Sequence, residues 1–305
     1  MRKAALTILA FITAMAVCGQ TRSGMNAPGG TTADESARPA ELPLPSIPQT
    51  LTAPEDRAAY LTAHFWDAMD FADTTLTADR TFMEQNFANF VSVFPALTPQ
   101  ALKAAVSTLM TRASASTAAY RTLTDIAEKY LYDPNSPMLN EEHYIAFLEE
   151  TAGSPLLSEA ERSKQAFNLR CALKNRQGTV AADFSYTDRQ GRHRTLHTTE
   201  AETLMLIFYD PDCEHCTEMM DKMKGDTALH DAVTSGSVKV LAIYSDGDRP
   251  LWDKTKGGLP AEWTVGFDTS GIQEHGTYIL RAMPTVYILD AGKTVIAKDF
   301  PAERI

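Results

Sequence analysis

Over residues 52–173 apolar side chains return every three or four positions, the period of helices with one buried face. Tyr60, Leu61, Phe65, Ala68 and Met69 make the first stripe, behind Thr52-Ala53-Pro54-Glu55, which has the form of a capping box. Met83, Phe87, Phe90, Val91 and Phe94 make the second, stopped by Pro95. Thr98-Pro99 opens a third helix with Leu102, Val106, Leu109 and Met110, and Tyr120, Leu123, Ile126, Ala127 and Tyr130 mark a fourth. A fifth follows Asn140 with Tyr144, Ile145 and Leu148, and a sixth, capped by Ser158 with Glu161, carries Phe167 and Leu173. Stripes of this kind belong to a core, so no chemistry is assigned to them. At Gly178 the period shortens to 2. Continuous apolar runs at 204–209 and 238–244 then have the length of strands buried on both faces.

The run at 204–209 stops at Asp210-Pro211-Asp212, a turn in which proline cannot continue a strand. Cys213-Glu214-His215-Cys216 follows, and after it a helix-like segment with Met219, Met220 and Met223. A cysteine at a helix start meets unpaired N–H groups and the positive end of the helix dipole, both of which favour its thiolate. Two intervening residues let the second sulfur reach the first, so the pair can cycle between dithiol and disulfide.

Composition changes this picture little. A chain of 305 residues has room for two domains, and 44% hydrophobic with 22% charged residues is ordinary for a soluble globular protein. The net charge of −11 argues against nucleic acid or an anionic membrane surface as partner. Arg2-Lys3 followed by the apolar run 4–17, too short to span a bilayer, reads as an export signal. Ala14-Met15-Ala16 fits a small-x-small cleavage site. Met15-Ala16-Val17-Cys18 resembles a lipoprotein box ending in the lipidated cysteine, although Val17 departs from the usual Gly, Ala or Ser. Lipidation at Cys18 is the expectation, because Cys18 is otherwise an idle thiol in an oxidising compartment. The expected layout is a signal segment at 1–18, a disordered tether rich in Gly, Pro, Thr, Ser and Ala at 19–53, an all-helical domain at 54–175 and an α/β domain at 176–305.

The CxxC stretch resembles the active site of the thioredoxin superfamily, and residues 178–298 are similar to its extracytoplasmic TlpA/ResA branch. Upstream, GTVAADFSYTDRQGRHRTL resembles that branch's opening hairpin. Downstream, DTSGIQEHGTYILRAMPTVYILDAGKTVIAKD resembles its closing half: a helix, a strand opened by a cis-proline at Pro284, and a β-hairpin. The layout as a whole resembles secreted thioredoxin-like proteins of the Bacteroidetes type, with a helical N-terminal domain of unknown function. The resemblance implies a central mixed sheet with flanking helices. It further implies Cys213 as nucleophile, Cys216 as resolving thiol, and a Met283 backbone that pairs with the substrate chain opposite the CxxC. After the strand at 294–296 the chain ends at Ile305, leaving the usual closing helix missing or reduced to a turn. Either the helical domain covers that sheet face, or the sequence is truncated.

Two influences on the pair oppose each other. His215 stands where strongly oxidising relatives place an imidazole, whose charge stabilises a thiolate. Asp210, Asp212 and Glu214 crowd the same turn and disfavour it, so the direction of electron flow stays open. Position 207, where thioredoxins bury a carboxylate, is Ile, and the alternative acid of reducing relatives would fall at Met219, so no general base is named. CxxC with His193 and His197 has zinc-ligand types, but the thioredoxin pattern on both sides explains the cysteines without metal. A degenerate, binding-only thioredoxin domain usually loses a cysteine, and this one keeps both. Cys171 is expected to be a buried, inert thiol.

These observations converge on an exported, lipid-anchored thiol-disulfide oxidoreductase without cofactor. It would act on cysteine-containing envelope proteins and be recycled by a thiol-disulfide exchange partner. The competing class is a non-catalytic envelope interaction protein whose helical domain binds a partner, with a vestigial or structural CxxC.

Overall fold

The computed structural model describes residues 41–299. The expected leader at 1–18, Cys18, the tether residues 19–40, and 300–305 lie outside the described residues. The first half is helical: α1 (Pro54–His64), α2 (Thr74–Ala78), α3 (Arg80–Val91), α4 (Pro99–Ala113), α5 (Thr117–Leu131), α6 (Glu141–Thr151) and α7 (Glu159–Ala172). Polar residues fix most of the starts. Asp73, Asp79, Thr98, Ser116 and Asn140 each precede a helix and accept from its first free N–H groups, contributing about 1 kcal/mol apiece. Ser158 and Glu161 close a reciprocal capping box on α7. The box expected at Thr52 does not form: Ala53 is the N-cap, with no side-chain bond. A residue before proline is pushed into extended backbone, and Ala53 adopts it (φ −71°, ψ 134°), so the helix can begin only at Pro54.

One apolar core joins these helices, with Met83, Phe87, Phe90, Val106, Leu109, Leu123 and Leu148 fully enclosed. Residues 41–53, expected to be part of the tether, send Leu42 into it, and the Leu42 N–H donates to Asn86 Oδ1 at 2.8 Å. α1 ends at His64, so Phe65 and Met69 reach the core from turns while Ala68 faces solvent. Phe167 and Leu173 are 57% and 46% exposed, against the core position expected for them. α7 buries Gln165, Asn168 and Cys171 instead. The Tyr144 hydroxyl donates to Gln165 Oε1 at 3.4 Å and accepts from Asn168 Nδ2 at 3.5 Å. A face satisfied by hydrogen-bonded amides leaves no apolar stripe to read.

The second half is a single sheet with helices: β1 (Ser185–Asp188), β2 (His193–Thr195), β3 (Thr203–Tyr209), α8 (Glu214–Gly225), α9 (Thr227–Ser235), β4 (Val238–Tyr244), α10 (Arg249–Thr255), β5 (Thr264–Asp268), β6 (Thr285–Asp290) and β7 (Val295–Lys298). The strand order is β2-β1-β5-β4-β3-β6-β7. β3 runs parallel to β4 and antiparallel to β6, with Leu206 opposite Leu241 on one side and Tyr287 on the other, and β6 and β7 form an antiparallel hairpin. Strand periodicity divides β3 between two cores. Met205, Ile207 and Tyr209 pack with Met219, Met220 and Met223 of α8. Leu204, Leu206 and Phe208 face Ala181, Phe184, Ile272 and Tyr278.

Loops of the same half cover that second face, and the Tyr278 hydroxyl donates to the Ala182 carbonyl at 2.7 Å. The helix expected between β5 and β6 is instead a series of turns. Gly271 (φ 67°) and Gly276 (φ 56°) hold left-handed backbone five residues apart, leaving no room for a helix between them.

Candidate active site

β3 and α8 place the two cysteines. After Tyr209 the Asp212 N–H donates to Asp210 Oδ1 at 2.9 Å, and the Cys213 N–H donates to the Asp210 carbonyl at 3.2 Å, which folds the chain back over the strand end. Cys213 is the N-cap of α8, and its sulfur accepts from the Cys216 N–H at 3.4 Å. The thiol donates in turn to the Met283 carbonyl at 3.7 Å. The Met283–Pro284 peptide is cis. Cys213 is half-buried, whereas Cys216 is 1% exposed and its sulfur accepts from the Asp210 N–H at 3.4 Å. Burial pushes the Cys216 thiol well above its ordinary pKa; the Asp210 N–H opposes this, and Cys213 and the Asp210 carboxylate add to it.

Acidic groups surround the site. Glu214 opens α8 and is exposed. His215 is also exposed, its Nδ1 3.9 Å from Glu218 Oε2. Burial raises the Tyr244 phenol to about 12, and Asp246, Asp210 and Asp248 add to the rise, so three carboxylates converge on the strand next to β3. Ile207 and Met219 are buried where relatives place an acid. His193 lies on β2, and His197 Nε2 is 2.8 Å from the Ala181 carbonyl. Among the described residues, no group of three or more His, Cys, Asp and Glu side chains is arranged to hold a metal ion. Cys171 is buried in α7, its thiol raised by burial.

Two contributors are not legible in the sequence: the Asp210 main chain, which holds Cys216, and Arg281, two residues before Met283. The only sequence signal for Arg281 was an arginine in an otherwise apolar loop, with no carboxylate within four residues on either side.

A thiol pair at a strand-to-helix turn, opposed by a loop carrying a cis-proline, on a mixed sheet preceded by helices, defines a thioredoxin-like protein. The chain belongs to the family described as a domain of unknown function (DUF5106), which it matches over residues 17–175, joined to a thioredoxin-superfamily domain. It is similar to the crystal structure of a thioredoxin-like protein from Bacteroides caccae, with 36% identity, 86% of this chain and 95% of that one covered, and a TM-score of 0.80. The C-terminal domain of an uncharacterized protein from Bacteroides fragilis is 37% identical over 43% of this chain and 94% of its own, with a TM-score of 0.42. The thioredoxin domain of a thiol-disulfide oxidoreductase from Bacteroides vulgatus is 15% identical, covering 41% of this chain and 88% of its own, with a TM-score of 0.37. No curated protein matches the chain.

Proposed function

We propose that the chain is an extracytoplasmic thiol-disulfide oxidoreductase that exchanges disulfides with protein cysteines through Cys213 and Cys216. The observation that carries this reading is the asymmetry of the pair. Cys213 is reachable, sits at the start of α8 and faces the Met283 carbonyl; Cys216 is enclosed and touches the Cys213 sulfur through its own N–H. In the reducing direction the Cys213 thiolate attacks one sulfur of a substrate disulfide. That S–S bond breaks, the far sulfur leaves as a thiolate, and a mixed disulfide joins Cys213 to the substrate. Cys216 then loses its proton and attacks the Cys213 sulfur. The second substrate thiolate leaves, the substrate has gained two electrons, and the protein carries the Cys213–Cys216 disulfide. Run backwards, the same steps oxidise a substrate dithiol. His215 and Glu214 border the attacking sulfur, and Met283 and Pro284 form the surface on which a substrate strand lies.

Export rests on Arg2-Lys3 and the apolar run at 4–17, and the membrane anchor is a lipid on Cys18. Among the described residues no helix is long and apolar enough to cross a membrane. The domain limits follow the sequence layout, helical to 175 and thioredoxin-like from 176. The partners are cysteine-containing envelope proteins and a thiol-disulfide exchange partner.

Trapping tests the chemistry. Cys216→Ser removes the resolving step, so mixed disulfides with envelope proteins are expected to accumulate and to show on non-reducing gels. Cys213→Ser is expected to trap little, because Cys216 is enclosed. Equal trapping by both variants, or none by either, would overturn the assignment of roles.

A further inference from the structure

Arg281 carries a contact that the exchange chemistry does not use. Its Nη2 donates to Glu141 Oε1 at 2.8 Å and to Asp299 Oδ2 at 3.2 Å, and its Nη1 donates to the Tyr132 carbonyl. The guanidinium carbon lies 3.8 Å from the centre of the Tyr132 ring. Tyr132 is the C-cap of α5 and Glu141 opens α6, so helix ends of the first half fix both groups. Glu141 is 8% exposed and also pairs with Lys298 of β7, whose Nζ donates at 3.0 Å to the Lys174 carbonyl behind α7. Two cations and two carboxylates thus close a balanced, largely enclosed set, the arrangement that lets charges stay buried.

This set grips the loop that faces Cys213. Among the described residues, 278–282 make no backbone-to-backbone hydrogen bond, so side chains must hold that stretch in place. Upstream, Lys174 Nζ donates to the Gly276 carbonyl, and Asn175 Nδ2 donates to the Thr277 carbonyl at 2.9 Å. Downstream, Thr285 Oγ1 donates to the Ala282 carbonyl at 2.6 Å, and Arg281 ties the loop to the helical half, two residues from the Met283 carbonyl that accepts from the Cys213 thiol. Apart from the Arg281–Asp299 pair and the Thr285 bond, these ties run to the helical half or to the segment leaving it.

We propose that Arg281 and Glu141 are a positioning pair through which the helical domain holds the Met283 backbone in register with Cys213 for docking of the substrate chain. This rests on the exchange reading above and gives the helical domain a part in it. A protein substrate that pairs with the loop backbone needs that backbone already oriented. A small disulfide needs only the Cys213 sulfur, whose surroundings α8 sets. The pair therefore governs reaction with protein disulfides and leaves reaction with small ones alone.

The full chain, reduced beforehand, would be mixed with insulin as a protein disulfide and with glutathione disulfide as a small one. Glu141→Gln is expected to slow the insulin reaction about tenfold, through KM in turnover assays, while the glutathione disulfide reaction stays within about twofold. Backbone NMR order parameters of residues 279–283 are expected to fall from about 0.85 to below about 0.6 in the same variant, with β3 and β4 unchanged. Arg281→Lys keeps the charge but not the fork to the Tyr132 carbonyl; it is expected to fall between wild type and Glu141→Gln, and gives the same comparison should Glu141→Gln fail to fold. Unchanged loop order parameters in both variants would overturn the proposal, and so would equal slowing of the two disulfides. A wild type that reacts with neither disulfide would overturn the exchange reading, and the order parameters would still decide the positioning pair.

Discussion

His143 shows how a single half-buried side chain makes stability depend on pH. Its ring stands edge-on to Phe94, with centroids 5.3 Å apart, in the helical core. Burial lowers its pKa to about 4 from 6.5, with Glu142 opposing. Because the folded value lies below the unfolded one, the unfolded chain binds the proton more tightly. The contribution is fully present above about pH 6.5 and is lost as pH falls toward 4, amounting to roughly 2–3 kcal/mol. Urea midpoints measured from pH 7.5 to 4 should show this slope, and His143→Gln should flatten it; an unchanged slope would place the loss elsewhere. Glu84 acts in a lower window. Burial raises it, but hydrogen bonds from Lys129, Arg80 and Tyr130 outweigh burial and hold it at about 2, so its contribution fades only between pH 4.5 and 2. Some of these residue roles are legible in sequence and others are not. Cys213 and Cys216 declare themselves by spacing after a strand. Arg281 and Gln165 do not, because each gets its role from a partner distant in the chain: Glu141 lies 140 residues from Arg281, and Tyr144 lies 21 from Gln165.

At the scale of elements, β3 and β4 are the most legible parts of the chain, since strands buried on both faces must be written as continuous apolar runs. β5 escapes the same reasoning. Its Thr264–Asp268 segment holds Gly266 at the centre, a residue that weakens a strand unless something needs the space. Here Tyr186 and Ile243 need it: a Cβ at Gly266 would stand 2.5 Å from Tyr186 Cδ2 and 2.7 Å from Ile243 Cδ1. Ile243 can rotate its terminal methyl away. Tyr186 cannot move as easily, because it is fully enclosed and its hydroxyl lies 2.7 Å from Thr199 Oγ1. Gly266→Ala is therefore expected to destabilise by about 1–3 kcal/mol, seen as a Tm lowered by several degrees. An unchanged Tm would mean that the β1–β5 pair can open to admit the methyl. The turns that replaced an expected helix before β6 carry the opposite lesson. Two glycines with positive φ replaced the helix that the family resemblance implied there.

For the molecule as a whole, the apolar cores of the two halves do not merge. The helical core includes Trp66, and the core between α8 and the sheet includes Trp252 and Trp263. Across the join the ties are ionic and polar, from Arg281, Lys298, Lys174 and Asn175. Contacts of this kind contribute less to cooperativity than shared apolar surface does. In a Trp66→Phe variant, fluorescence reports the sheet half alone, while far-ultraviolet circular dichroism is dominated by the helices. Guanidinium unfolding curves from the two signals are expected to separate. Coincident curves would show that the buried charges bind both halves into one cooperative unit. The sequence showed the division into halves through the change of period at Gly178, but not the join, which is made of scattered charges with no period of their own.

The three methionines beneath Cys216 have a consequence for how the protein ages. Met219, Met220 and Met223 are 2–4% exposed, so a dissolved peroxide meets Cys213 long before it meets these three thioethers. Damage at Cys213 can be repaired as long as Cys216 is there to capture the oxidised sulfur as a disulfide. A sulfoxide on Met223 forms only in a molecule whose α8 has lifted from the sheet, and its polar oxygen would hinder the helix from settling back. The fraction of chains bearing that sulfoxide would therefore act as a clock, recording how often this half of the molecule has opened during its working life.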